Sequence, residues 1–174
     1  MDIGAWLTRG TVWLALSLYV ASEIAAARDR RAGGAGWRWL KSFGCAAFQA
    51  HVACAFHFYH HWSHAAAYAD TARHTAELTG WNWGGGLYLN YAFSLVWLGE
   101  VFWAWANPNS YRQRPDWITW TVRGFFWFMI FNGAVVFVPS AVRWFGLVLC
   151  VALAFCWLRP RPDTPRPLAV DLTR

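Results

Sequence analysis

Long apolar runs alternate with short polar breaks along this chain. A helix needs about 20 apolar residues to cross a bilayer. Five runs approach or exceed that length, near 5–27, 37–62, 86–106, 117–138 and 141–158. The last is the shortest. It is set off from the fourth by Val138-Pro139-Ser140, where proline cannot continue a helix and Ser140 can cap the next one. Between the second and third runs, 63–80 is Ala-rich, carries Asp70, Arg73, His74 and Glu77, and ends at Gly80. That pattern predicts a helical continuation or an interfacial helix closed by a glycine C-cap. Trp81, Trp83 and the run Gly84-Gly85-Gly86 then lead into the third apolar run, and no phosphate-loop pattern follows them. The pattern predicts an all-α, polytopic membrane helical bundle, with 1–158 as one transmembrane domain of five helices. The tail 159–174, rich in proline and arginine, lacks the apolar content to pack and is expected to be disordered.

Composition strengthens the membrane expectation. Of 174 residues, 57% are apolar and only 14% charged, against about 25% charged in soluble domains. Fifteen tryptophans fit a chain with two lipid–water interfaces. The net charge of +6 is no nucleic-acid signal, because the arginines fall in short loops rather than on one face. They read as topology instead. Arg28, Arg30, Arg31, Arg38, Lys41, Arg112, Arg114, Arg159, Arg161, Arg166 and Arg174 lie on one side of five alternating helices, and Arg9, Arg73 and Arg143 on the other. Positive segments stay cytoplasmic, so the N-terminus is expected outside and the C-terminus inside. Positive charge following the first run rather than preceding it argues for a retained helix, not a signal peptide. Cys45, Cys54, Cys150 and Cys156 sit inside apolar runs without CxxC spacing and form no disulfide framework.

All six histidines lie between positions 51 and 74, four of them in the string HFYHHWSH at the end of the second run. On a continuous helix, His57, His61 and His64 follow i, i+4, i+7 spacing and share one face, with His60 on its edge and Cys54 one turn inward. Imidazole is the commonest transition-metal ligand and the usual haem axial ligand. The cluster therefore predicts a site near the outer face. His57, His61 and His64 would bind the cofactor, with His60 as a fourth metal ligand. Iron, copper, zinc or haem all suit imidazole. One helix cannot close such a site, and Asn90 and Tyr91, at similar depth on the third run, are additional candidate ligands. Asp70 and His74, four apart, read as a surface pair.

His57, His60 and His61 form an HxxHH pattern that resembles one histidine box of the membrane fatty-acid desaturases and hydroxylases, whose boxes bind two irons. The resemblance covers eight residues. Those families carry several boxes on different helices facing the cytoplasm, whereas this chain has one box and an outward expectation, so no residue role or activity is carried over. Bis-histidine haem ligation likewise needs histidines on facing helices. That leaves a five-coordinate haem or one shared across a dimer.

Inside the membrane, Asn90, Phe93, Trp97 and Glu100 share one stripe of the third run. Glu100 and Arg123 lie at matching depths, each about 9 Å from the cytoplasmic ends of adjacent antiparallel helices. Charges at such depth are usually paired, which predicts a structural ion pair, with Glu23 near enough to join. The sequence thus points to a bacterial-type inner-membrane protein that binds a transition metal or haem, with oxidoreductase chemistry on a lipophilic substrate if it is catalytic. One alternative is a non-catalytic subunit of a larger electron-transfer or pigment complex. Another is a small transporter or proton-conducting protein. Expected partners are the lipid bilayer and a second copy or larger membrane complex, not nucleic acid.

Overall fold

The computed structural model describes residues 3–29, 34–138 and 142–158. The Pro139-Ser140 turn, Arg30, Arg31 and the tail 159–174 lie outside the described residues. Among the described residues there are seven α-helices and no strand. They are α1 (Ile3–Asp29), α2 (Gly36–Phe58), α3 (His64–Thr79), α4 (Gly86–Ala106), α5 (Pro108–Arg112), α6 (Asp116–Phe131) and α7 (Val142–Leu158). α6 runs on into a π-helical turn, Asn132–Val136.

Local chemistry sets the ends. Ser63 accepts a hydrogen bond from the Ala66 amide and starts α3, and Gly80, at φ +77°, closes it. Asn107 caps α5 by accepting from the Ser110 amide, with Pro108 in the first turn. α6 follows Pro115 with Asp116 in its first turn, where a carboxylate complements the helix dipole.

The five long helices close into a ring. α1 packs on α2 and α7, α4 packs on α2 and α6, and α6 packs on α7. Consecutive neighbours in the ring are antiparallel, and α1 and α7, which close it, are parallel: Trp13 meets Phe145 near their N-terminal ends and Glu23 meets Trp157 near their C-terminal ends. α3 lies against α4 at one end and α5 against α4 at the other. The core is aromatic at its centre. Tyr19 stacks on Phe126 with centroids 4.6 Å apart, Phe93 meets the same ring at 4.6 Å, and Trp97 is fully buried between them and Phe48. α7 approaches the π-helical turn so closely that a Cβ on Gly146 would collide with the Ala134 carbonyl oxygen. Glycine is needed there for backbone contact.

The outside of the ring is strongly apolar. Phe102 is 75% exposed, Leu95 69% and Phe155 61%, while Glu23, Lys41 and Glu100 are buried. By length and mean hydropathy one helix, Ile3–Arg28, is long and apolar enough to cross a membrane, and Val142–Leu158 is apolar but shorter. α4 falls short by that measure because tyrosine, tryptophan, Asn90 and Glu100 dilute its aliphatic content, and α2 because it carries Arg38, Lys41, Gln49 and two histidines. The expectation of five spans therefore does not follow from helix length and hydropathy alone.

Candidate functional site

The two ends of the ring hold the two polar clusters, and they differ in kind. At the end with the α2 C-terminus, α3 and the α4 N-terminus, the histidines do not share a helical face. α2 stops at Phe58, four residues short of the expected 62. The chain turns through 59–63, with the Trp62 amide donating to the Phe56 carbonyl (3.0 Å) and the Ser63 amide to the His60 carbonyl (2.8 Å). The physical reason is Ser63, whose hydroxyl starts a new helix and so ends the old one. His61 and Trp62 adopt φ of +46° and +60°, a left-handed conformation that side-chain-bearing residues rarely take.

The cluster is therefore dispersed. His57 ends α2, His60 and His61 lie in the turn, and His64 opens α3. His57, His61 and His64 are exposed and His60 is half-buried. Among the described residues, no group of three or more His, Cys, Asp or Glu side chains is placed to hold a metal ion. Of the two added candidates, Tyr91 meets the cluster, its hydroxyl 3.0 Å from His64 Nδ1, while Asn90 is exposed. His51 is bound elsewhere, with Nδ1 2.8 Å from the Thr8 carbonyl oxygen of α1. His74 Nδ1 lies 2.9 Å from the Asp70 backbone carbonyl oxygen and 3.6 Å from its carboxylate, which also pairs with Arg73.

At the opposite end, buried charges form one connected network. Lys41 Nζ is its hub, 3.1 Å from Glu23 Oε1, 3.6 Å from Glu100 Oε2 and donating to the Tyr111 hydroxyl at 2.9 Å. Tyr111 in turn donates to Glu100 Oε2 at 2.6 Å. Arg114 places Nη1 2.5 Å from Glu100 Oε1 and donates through Nε to Thr119 Oγ1 at 3.0 Å. Arg123 Nη2 lies 3.5 Å from Glu23 Oε2, which also accepts from the Trp157 indole at 2.8 Å. The rings of Trp120 and Trp157 flank the Arg123 guanidinium at 5.6 and 5.2 Å.

This corrects the expected Glu100–Arg123 pair. Among the described residues the salt bridges of Glu100 go to Lys41 and Arg114, and that of Arg123 goes to Glu23. Depth matching placed both charges at the right level but on different carboxylates, because Lys41 and Arg114 reach Glu100 instead. Both are residues that charge counting assigns to loops. Lys41 in fact sits on the buried face of α2 with Trp37, Gly44, Cys45 and Phe48. Spacing of four, three, one and three was the signal that could have found it. Burial pushes the Tyr111 phenol above its ordinary range, with the Glu100 charge adding to the effect and Lys41 opposing it. For Arg114, burial works against the charge, and the Glu100 hydrogen bond more than restores it.

A cavity of about 290 Å³ opens beside this network, between α1, α2, α5 and α6. Its walls carry Lys41, Arg112, Arg114 and Arg123 against the carboxylates Glu23 and Asp116. Chemically, the network can hold charge away from water, and the cavity can offer guanidinium donors to a ligand. No protein-family model, curated protein or solved structure matches this chain.

Proposed function

We propose that the chain is an integral membrane protein whose α1, α2, α4, α6 and α7 cross the bilayer, with its N-terminus outside and its C-terminus in the cytoplasm. We place its functional centre in the buried ionic network at the cytoplasmic end, as a binding site for a charged ligand. One observation carries the reading. The ring keeps its charges inside and turns Leu95, Phe102 and Phe155 outward, which suits a hydrocarbon solvent and not water. Intramembrane ionisable residues mark ligand and ion pathways, which also keeps a role as a small transporter or as a subunit of a larger membrane complex within this reading.

The test has two parts. Alkaline carbonate washing should leave the protein in the membrane pellet, and release into the supernatant would remove the integral reading. A C-terminal fluorescent protein fusion should be bright and a C-terminal alkaline phosphatase fusion inactive. An active phosphatase would invert the orientation.

A second reading keeps the histidines. Left-handed backbone at two consecutive non-glycine residues, His61 and Trp62, is costly and tends to collect at functional sites. On this reading His57, His60, His61 and His64 bind iron, copper, zinc or haem once a second copy supplies further ligands, with redox chemistry on a lipophilic substrate. Purified protein made with metals and haem precursor present should then carry near-stoichiometric metal or a Soret band. Colourless, metal-free protein would remove the reading.

A further inference from the structure

We propose that the cavity beside Arg114 and Arg123 is a receptor for a phosphate monoester or for inorganic phosphate. The proposal rests on the ionic end being a binding site, but not on the bilayer. Four cationic side chains, Lys41, Arg112, Arg114 and Arg123, line the cavity with two carboxylates, Glu23 and Asp116. Lys41 directs its ammonium to Tyr111, Glu23 and Glu100 and has little left for a ligand. Arg112 makes no salt bridge among the described residues and lies exposed at the cavity mouth. Arg123 has one ion pair at 3.5 Å, and its Nε is buried without a hydrogen-bond partner. A buried guanidinium donor left unpaired is costly, and an anion oxygen in the cavity would relieve it. Guanidinium groups present planar forks that match phosphate oxygens. The first turn of α6 also begins at the cavity wall, with Asp116, and adds its positive end.

The carboxylates narrow the class. Glu23 is already paired with Lys41, Arg123 and Trp157, so Asp116 is the carboxylate that an anion with no proton would meet with repulsion. A phosphate monoester retains an ionisable O–H near neutral pH, with a second pKa of about 6. That O–H can donate to a carboxylate while the remaining oxygens accept from the arginines. Sulfate has no such proton. The volume is near the lower end of the roughly 300–1,000 Å³ typical of ligand pockets. It admits a phosphate head with little else, either free or at the end of a lipid such as phosphatidic acid.

The experiment uses the full chain in neutral detergent and in phosphatidylcholine nanodiscs, and follows the thermal midpoint at fixed ionic strength. Inorganic phosphate should raise the midpoint saturably, and sulfate should not. Arg112→Gln should weaken the phosphate response about tenfold, each variant being compared with its own phosphate-free midpoint. Asp116→Asn should let sulfate act as phosphate does. In nanodiscs, a shift on adding phosphatidic acid but not phosphatidylglycerol, a diester, identifies a lipid source. A shift with inorganic phosphate alone identifies a soluble one. If neither phosphate nor phosphatidic acid shifts the midpoint, or if sulfate equals phosphate on the unmodified chain, the proposal fails. It fails also if both variants respond like the parent chain. Failure here with carbonate-resistant, correctly oriented protein would leave the membrane reading standing.

Discussion

The two ends of the ring both gather ionisable residues and use them in opposite ways. At the histidine end, ionisable rings are spread over a strained turn and the helix ends beside it, with His57, His61 and His64 exposed. The contact between His64 and Tyr91 is a single exposed hydrogen bond. At the other end, Glu23, Lys41 and Glu100 are withdrawn from solvent and each is held by several partners. The sequence draws the eye to the first end because its residues are adjacent in the chain. The second end is assembled from α1, α2, α4, α5, α6 and α7, and its members lie up to 134 positions apart. Density of chemistry along the chain and density of chemistry in space are different quantities, and here they select opposite ends.

The contrast breaks most visibly at Lys41. Lys41→Met should lower stability by about 3–5 kcal/mol, since it leaves two buried carboxylates short of a partner. The denaturant midpoint of the detergent-purified protein reads this. A loss no larger than that of a surface substitution would mean the network is hydrated and the two ends are alike. A double-mutant cycle sharpens the wiring. Glu100→Gln with Arg114→Gln should show coupling within about 0.5–3 kcal/mol, and it should exceed that of Glu100→Gln with Arg123→Gln, which are linked only through Lys41 and Glu23. Reversed couplings would restore the direct Glu100–Arg123 pair.

At the histidine end the expected effects shrink. Tyr91→Phe removes the hydrogen bond to His64 and should cost about 0.5–1.5 kcal/mol at most. His61→Gly should be neutral or stabilising by up to about 1 kcal/mol, because glycine takes φ of +46° without a steric penalty. A large loss from His61→Gly, accompanied by loss of bound metal or colour, would make that end a true site and dissolve the comparison.

The helices other than α5 were legible because each lies in an apolar or alanine-rich run with recognisable ends. Gly80 after Thr79 and Asn107-Pro108 before α5 are such signals, although the second was read as part of a loop. The buried stripe Phe93, Trp97 and Glu100 follows from helical period alone, although Asn90, on the same stripe, is exposed. The histidine face was misread because periodicity assumes an unbroken helix, and Ser63 breaks it. The ionic network was only half legible. Glu100, Arg123 and Glu23 were found by their depth in apolar runs, while Lys41 and Arg114 were hidden by proximity to helix ends, where basic residues usually face water. Which cation meets which carboxylate depends on helix rotation, and no local pattern encodes that.

The π-helical turn at Asn132–Val136 has a consequence for how this chain tolerates change in length. Its widest bond runs from the Phe137 amide to the Asn132 carbonyl, five residues back, so the turn accommodates one residue more than an α-helical turn does. A deletion of a single residue there has a ready structural outcome. The segment can retract to ordinary α-helix while α6 upstream keeps its own contacts, and the readjustment falls on the close approach of Gly146 to Ala134. Anywhere else in the long helices the same deletion would rotate everything beyond it by about 100° and turn a buried face outward. The turn is therefore the place where descendants of this sequence can lose a codon and keep the fold.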